Sequence, residues 1–307
     1  QSIPAYTMSY FLLPKTFTQE LKSILARFWW NNREASKLHW ISWDKLTRSK
    51  KDGGLGFRDL HIQNQALLAK QSWNLLKRPT SLICRLLKAK YFPNSSFLSA
   101  ELSRAPSQIW RSIHATRQTL CQGLRWRVGS GTQIHIWEDP WLPCGPSFKP
   151  LFRNPLHSEA FLVADLFILG QRRWNQPLIR RMFHPIDANL ILQLPLAHHH
   201  ADDLLIWNYT KNGRYSTASG YHLLRNAQDM WNSRESTSST GSTKFWTTLW
   251  NFSAPPKVLF FIWRLCSNII PLKTELQRRH ISASDDCAMC GLRPETWRHL
   301  FVECEFA

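Results

Sequence analysis

Three cysteines and one histidine near residue 300 have a spacing that strongly constrains the fold around them. Cys287 and Cys290 form a C-x2-C pair, and His299 and Cys304 follow it. Zinc prefers thiolate and imidazole ligands, and four of them fill a tetrahedron without leaving a position for water. Gly291 permits the tight turn that lets both thiolates of the pair reach one ion. The spacing therefore predicts one structural zinc ion (Zn2+). The alternative is a group of unrelated buried thiols and a surface histidine.

The second half of this motif makes a demand on the backbone. Pro294 and Glu295 are typical of a helix start, which would place His299 on a helix. On a regular helix, Cys304 would then lie about 140° around the axis from His299. Because both side chains must reach one ion, we expect the helix to end or unwind near Val302.

The chain is strongly basic. Its 307 residues contain 39 Lys and Arg against 21 Asp and Glu, which gives a net charge of +18. Positive charges in such excess repel one another unless an anionic partner is bound, and nucleic acid is the most common such partner. Charged residues interrupt every apolar run before it is long enough to span a bilayer, so we expect no membrane partner. The missing initiator methionine and the abrupt end after Cys304 suggest a fragment of a longer protein.

Hydrophobic periodicity predicts a mainly α-helical fold with small β-hairpins. The predicted helices cover residues 16–30, 59–76, 81–91, 217–230 and 257–266. Apolar and basic residues alternate over 124–128 and 133–137 on either side of Gly129-Ser130-Gly131, which predicts a hairpin. A second two-stranded unit is expected over 204–215, around the turn dipeptide Asn212-Gly213.

Basic residues are interleaved with tryptophans in the first fifth of the chain. Cations can follow phosphates while exposed aromatic faces stack on bases. The candidate phosphate-binding residues here are Arg33, Lys37, Lys45, Arg48, Lys50 and Lys51. Arg125 and Arg127 on the predicted hairpin are further candidates, and Arg172-Arg173 and Arg180-Arg181 carry less weight. The alternative is that the tryptophans are core residues and the cations form a solvated face.

Two other groups of residues could suggest a metal or catalytic site, but we expect neither to form one. His198-His199-His200 and the pair Asp202-Asp203 could suggest a metal site, but two-metal chemistry needs a further carboxylate, and acids are scarce. We expect a solvated loop there. Cys266 lies in an apolar run and is expected to pack in the core.

These motifs, taken together, resemble plant LINE-type (non-LTR) retrotransposon reverse transcriptases, in the region that follows the polymerase core. The N-terminal part of the resemblance rests on residues 3–30, His39-Trp40, 53–58, 126–141 and 213–216. The C-terminal part rests on Pro255-Pro256-Lys257, Phe261, Trp263-Arg264 and the Cys/His motif, and it resembles the reverse-transcriptase zinc-binding domain.

The resemblance implies a helical thumb and connection region followed by a zinc-stabilised helical module. We expect a thumb-like part at 1–80, a connection region at 81–231, a Ser/Thr-rich linker at 232–244 and the zinc-binding domain at 245–307. The polymerase aspartates and any ribonuclease H domain would lie outside this segment, so we expect no enzyme activity in it.

The function expected from the sequence is to hold template RNA or target DNA beside a polymerase active site. The expected partners are nucleic acid (RNA or DNA) and the remainder of the reverse transcriptase polyprotein. Three alternatives stay open: an enzyme active in this chain, a decayed transposon remnant without selected activity, and a zinc-dependent module that binds protein. The last would present an exposed apolar patch rather than a basic one.

Overall fold

The computed structural model describes residues 4–30, 40–145, 147–151, 161–196, 201–233 and 241–307. About half of the chain is helical, which confirms the mainly α-helical prediction. The helices are α1 (Ala5–Met8), α2 (Lys15–Trp29), α3 (Trp43–Leu46), α4 (Leu60–Lys77), α5 (Leu82–Tyr91), α6 (Gln108–Ala115), α7 (Arg117–Cys121), α8 (Gln176–Met182), α9 (Pro185–Gln193), α10 (Thr217–Ser233), α11 (Gly241–Asn251), α12 (Pro256–Cys266) and α13 (Lys273–Arg278). Within these described ranges, no helix is both long enough and apolar enough to cross a bilayer.

The helices that the sequence predicted are present, with ends that shift by a few residues. Local chemistry accounts for where they begin. The Ser81 hydroxyl accepts a hydrogen bond from the Cys84 amide at 3.4 Å and starts α5. Pro256 occupies the first turn of α12, where its missing N–H leaves no donor unpaired. The predicted linker at 232–244 is shorter than expected, because α10 continues to Ser233 and α11 already begins at Gly241; residues 234–240 lie outside the described residues.

The sheet differs from the predicted hairpins. Strand β1 (Leu124–Arg127) pairs antiparallel with β2 (Leu204–Trp207), with Leu124 opposite Trp207. Residues 134–136 run beside 161–163 instead, where the Ile136 amide donates to the Phe161 carbonyl at 3.0 Å. The prediction that 124–128 forms a hairpin with 133–137 is therefore wrong. The turn at Asn212-Gly213 is present, with Gly213 at a φ of +69°. Its arms are joined by a hydrogen bond from the Trp207 amide to the Gly213 carbonyl at 2.9 Å, and the first arm also pairs with β1.

A buried carboxylate explains the observed pairing. Asp203, immediately before β2, is 6% exposed. Its Oδ1 accepts hydrogen bonds from the amides of Gly129 at 2.7 Å and Gly131 at 2.9 Å, and its Oδ2 accepts one from Gln133 at 3.0 Å. This carboxylate fixes the turn after β1 against the start of β2. The expectation of a solvated loop is thus wrong for Asp203 and right for its exposed neighbour Asp202; His198–His200 lie outside the described residues.

The chain forms two compact units whose segments alternate along the sequence. Unit 1 comprises Gln1–Pro14 and Leu60–Asn232, and unit 2 comprises Lys15–Asp59 and Ser233–Ala307. The sequence divided the chain into consecutive segments instead. In unit 2, residues from the first fifth of the chain share a core with the last quarter, around Leu46, Leu259 and Trp263.

Unit 1 contains two larger apolar cores. One surrounds Trp110, which is fully buried and stacks on Tyr91 with ring centroids 5.0 Å apart. The other surrounds Ile134, Ile136 and Trp141. Tyr215, two residues before α10, joins this part of the chain to α4, because its hydroxyl donates to the Ala66 carbonyl at 2.8 Å. Aromatic side chains thus supply much of the buried surface in this unit.

Replacing Tyr215 by phenylalanine is expected to lower the free energy of unfolding by about 1 kcal/mol at pH 7, the size of one hydrogen bond. Burial raises the pKa of Tyr215 above its ordinary value. The stabilisation by its hydroxyl is therefore complete below pH ~10 and is lost as the pH rises further. Urea unfolding between pH 7 and 11 should show the difference between wild type and Y215F shrinking above pH 10. Tyr6→Phe, on an exposed ring, is the control; a difference independent of pH would contradict the prediction.

Candidate metal centre

The first half of the metal motif is a tight loop between Asp286 and Pro294, which form an isolated antiparallel bridge. The Cys287 amide donates to the Arg293 carbonyl at 2.7 Å, and the Gly291 amide donates to the Cys287 carbonyl at 2.9 Å. Gly291 has a φ of +65°, a conformation that glycine adopts without strain. The loop brings the two thiols of the C-x2-C pair to the same side, as the sequence predicted.

The second half of the motif unwinds as the ligand geometry demands. Residues His299–Glu303 form a π-helical turn, and Cys304 follows in extended conformation. The Cys304 amide donates to the His299 carbonyl at 2.7 Å, so that five residues complete one wide turn and both side chains face the loop. The helix does not begin at Pro294, however. Pro294 pairs with Asp286, and the Thr296 hydroxyl accepts from the His299 amide at 3.1 Å.

The four predicted ligands converge on one point. The Sγ atoms of Cys287, Cys290 and Cys304 and a ring nitrogen of His299 all lie within 4.8 Å of one another. Cys290 Sγ and His299 Nε2 are 3.2 Å apart. Zinc bonds of about 2.0–2.3 Å in a tetrahedron require ligand atoms at about this separation. Among the residues that the structure describes, this is the one cluster of three or more Cys, His, Asp or Glu side chains that could hold a metal ion.

The electrostatics of the centre favour thiolate formation at Cys287. The backbone N–H of Cys290 lowers the pKa of the Cys287 thiol to about 7, although burial opposes this effect. For Cys304, the Phe306 backbone N–H lowers the pKa, but burial and the neighbouring thiols outweigh it and the pKa is raised. A cation would relieve this repulsion among the sulfur atoms, since thiolates are the metal-binding form. The donor set and its geometry therefore suit one zinc ion in a structural role.

Glu295 is a residue of this region that sequence reasoning assigned only to a helix start. Its side chain is buried. Its Oε2 accepts from the Ala288 amide in the metal loop at 3.0 Å, and its Oε1 accepts from the Lys273 amide at the start of α13 at 3.1 Å. The carboxylate thus ties the loop to the preceding helix. No local sequence pattern indicates this role.

The expectation for Cys266 is wrong. It lies at the end of α12 and is exposed, because the helix turns Leu259 and Trp263 toward the core and Cys266 away from it. Its thiol is separate from the metal cluster.

Four basic candidates of the first fifth of the chain, Lys45, Arg48, Lys50 and Lys51, belong to the same unit as the metal centre. Lys45 is in α3, Arg48 follows it, and Lys50 and Lys51 form a short 3-10 turn (Lys50–Asp52) that contacts α11. All four side chains are exposed. We call residues 45–51 the basic segment. Arg33 and Lys37 lie outside the described residues.

Tryptophans hold the basic segment in place rather than presenting stacking faces. Trp29, Trp30, Trp40 and Trp43 are partly buried against the core of unit 2, so the alternative interpretation of these residues as core is confirmed. Just beyond the basic segment, the Gly53 carbonyl accepts from Trp263 Nε1 at 3.0 Å. A Cβ at Gly53 would meet the Trp246 ring at 2.8 Å, so only glycine permits this close approach.

Two further contacts join the early tryptophans and cations to the C-terminal helices. Lys50 Nζ lies 4.6 Å from the centroid of the Trp250 ring. The Arg279 guanidinium lies 4.8 Å from the Trp40 ring centroid and donates to the Trp40 carbonyl at 2.9 Å. Such cation–π contacts stabilise by about 0.5–1 kcal/mol each at exposed sites. The basic segment is therefore anchored to the helices that precede the metal centre.

Arg125 and Arg127 are placed elsewhere, on β1 of unit 1. Arg125 is half-buried and its Nε donates to Asn208 Oδ1 at 2.7 Å, whereas Arg127 is exposed. The two candidate groups of cations thus belong to different units.

Comparison with known proteins agrees with this geometry. Residues 215–307 match the family described as zinc-binding in reverse transcriptase. An uncharacterised mitochondrial protein of Arabidopsis thaliana is 43% identical over 152 residues, which cover 49% of this chain and 99% of that protein. A second Arabidopsis thaliana protein, named as a ribonuclease H protein, is 30% identical over 322 aligned positions, covering 99% of this chain and 48% of its own length. No solved structure matches.

The matched region, residues 215–307, contains the whole metal motif. It also contains α10 and the helices α11 and α12, whose tryptophans contact the basic segment and Gly53. The chain spans about half the length of the longer relative and nearly all of the shorter one. The chain therefore belongs to the family of plant LINE-type retrotransposon reverse transcriptases, as a retrotransposon-derived segment that carries the reverse-transcriptase zinc-binding domain.

Proposed function

We propose that this chain binds nucleic acid and positions template RNA or target DNA within a longer retrotransposon polyprotein. In this proposal, Cys287, Cys290, His299 and Cys304 hold one zinc ion that orders the end of unit 2. The ion has no chemical step to perform, because four protein ligands leave no open position for water or substrate. Binding is by charge, and it does not depend on base sequence.

The observation that carries the proposal is the location of the basic segment. Its cations come from the first fifth of the chain, yet they are anchored on α11 within the unit that contains the metal centre. Lys45, Arg48, Lys50 and Lys51 have no ion-pair partner among the described residues. Four exposed cations within seven residues attract a polyanion strongly. The net charge of +18 acts in the same direction.

The test is the double variant Lys45→Gln/Lys51→Gln in the full chain. Neither side chain makes a packing contact that the fold needs, since both are exposed. Each phosphate contact contributes about 0.7 to the slope of log affinity against log salt for a single strand. Fluorescence anisotropy with a 15-nucleotide RNA should therefore show a slope reduced by about 1.4 in magnitude.

The matched control is Lys15→Gln/Arg27→Gln, which removes two exposed cations from α2 of the same unit. The proposal expects a smaller change from this variant. If the two double variants lowered the slope equally, the basic segment would have no special part in binding.

A second candidate function, binding to a protein, is favoured by apolar side chains around the metal centre. Met289 is 58% exposed, Leu292 75% and Val302 68%. Exposed apolar patches are typical of protein contacts. The two candidates respond differently to salt, because apolar contacts are not weakened by it whereas phosphate contacts are. The second candidate would be favoured if the chain bound no nucleic acid and instead formed a protein complex that resists salt and is lost in the Leu292→Ser variant.

A further inference from the structure

Strand β1 presents two arginines to a cavity in unit 1. Arg125 and Arg127 are two residues apart, so their side chains leave the strand on the same face. They line a cavity of about 460 Å³ whose apolar wall includes Trp141, Leu194 and Leu196. A cavity of this size holds a small organic group. The lining thus combines two guanidinium groups with an apolar wall.

The positive charge at this cavity is concentrated. Burial lowers the pKa of Arg125, and the charge of Arg127 lowers it further. Arg127 has no ion-pair partner among the described residues. The two arginines that line the cavity repel each other, and an anion between them stabilises both.

A second cavity continues the first. It has a volume of about 530 Å³, contains Arg172 and Arg173, and shares Leu194 and Leu196 with the first. Arg172 donates to the Gly129 carbonyl, which fixes its guanidinium near the turn after β1, whereas Arg173 is exposed. The two cavities therefore lie side by side along one apolar wall, with a pair of arginines at each.

We propose that these two cavities bind consecutive nucleotides of a single-stranded nucleic acid. Arg127 and Arg173 contact phosphates, and the bases lie against the wall formed by Leu194 and Leu196. This proposal rests on the proposed function, that the chain binds nucleic acid, and adds a second contact region outside the basic segment. A single strand is the ligand because its unstacked bases can enter a cavity, whereas a duplex keeps its base faces stacked inside.

One acidic residue at the first cavity should weaken nucleic-acid binding, so its removal should raise the affinity. Asp202 lines the first cavity and is exposed. Its carboxylate repels a phosphate bound at Arg127. Removing this charge by Asp202→Asn should strengthen binding, an effect that a variant with a damaged fold would not produce.

The experiment measures binding of the full chain to a fluorescent 15-nucleotide uridine RNA by anisotropy at 0.15 M salt. Arg127→Gln and Arg173→Gln should each weaken binding about tenfold, the size expected for a hydrogen-bonded charge contact. Asp202→Asn should tighten it severalfold. Arg104→Gln, which removes an exposed cation elsewhere in unit 1, should change affinity less than twofold. An abasic oligonucleotide with the same number of phosphates should bind more weakly, because it lacks the bases that contact the wall.

The outcomes separate this proposal from the one it rests on. If Arg127→Gln and Arg173→Gln behaved like Arg104→Gln while Lys45→Gln/Lys51→Gln weakened binding, the cavities would not be a binding site and the proposed function would stand. If the wild-type chain did not bind RNA at all, the proposed function would fail first. Equal affinity for the abasic oligonucleotide would overturn the role of the apolar wall.

Discussion

Cys287→Ser is expected to unfold residues 267–307, with loss of bound zinc. Buried side chains are few in this segment: Ile269, Leu272, Cys287, Glu295, His299 and Cys304. Only two of these are aliphatic, so burial of apolar surface cannot stabilise the segment by itself. Structural zinc in comparable small modules contributes an apparent ~10–16 kcal/mol at neutral pH. Removal of one thiolate should abolish most of this stabilisation.

Metal content by mass spectrometry and hydrogen exchange of the C-terminal amides would measure both effects in the full chain. Cys266→Ser is the matched control, because it removes an exposed thiol a short distance along the same unit. It should leave zinc content and amide protection unchanged. Equal protection in the two variants would show that the segment folds without its metal centre.

Asp203→Ala is expected to lower the free energy of unfolding of unit 1 by about 3–5 kcal/mol. The substitution leaves the amides of Gly129, Gly131 and Gln133 without the acceptor that they have in the wild type. The two glycine amides are buried, and each buried donor left unpaired costs about 1–3 kcal/mol. The turn after β1 would also lose its attachment to β2, so the effect extends to the strand pair.

Urea unfolding followed by tryptophan fluorescence would measure this change. Asp202→Ala provides a close control, because the neighbouring carboxylate is exposed and makes none of these bonds. Its effect should stay within about 0.5 kcal/mol, as is usual for surface positions. If the two alanine variants had the same stability, the turn would not depend on Asp203.

The parts of the fold that follow local rules could be predicted from the sequence. Apolar periodicity located the longer helices, and ligand spacing identified the metal motif together with the unwinding before Cys304. In both cases the information lies within about twenty residues, where helical periodicity and the tetrahedral geometry of zinc act directly.

Features that depend on distant residues could not be predicted in this way. The pattern at 124–137 resembles a hairpin, but the carboxylate of Asp203 supplies the acceptor that the intervening turn needs and brings β2 beside β1. The attachment of Gly53 to Trp246 and Trp263 likewise joins residues that are far apart in the chain. Periodicity contains no information about such partners, since any buried aromatic face would satisfy the same pattern.

The most direct test of nucleic-acid binding by this zinc-ordered chain is its affinity for a single-stranded 15-nucleotide RNA between 0.05 and 0.3 M salt. If cations in the basic segment contact at least three phosphates, log affinity should fall with log salt with a slope of about −2 or steeper. Absence of binding at the lowest salt, or an affinity that does not change with salt, would contradict the proposed function.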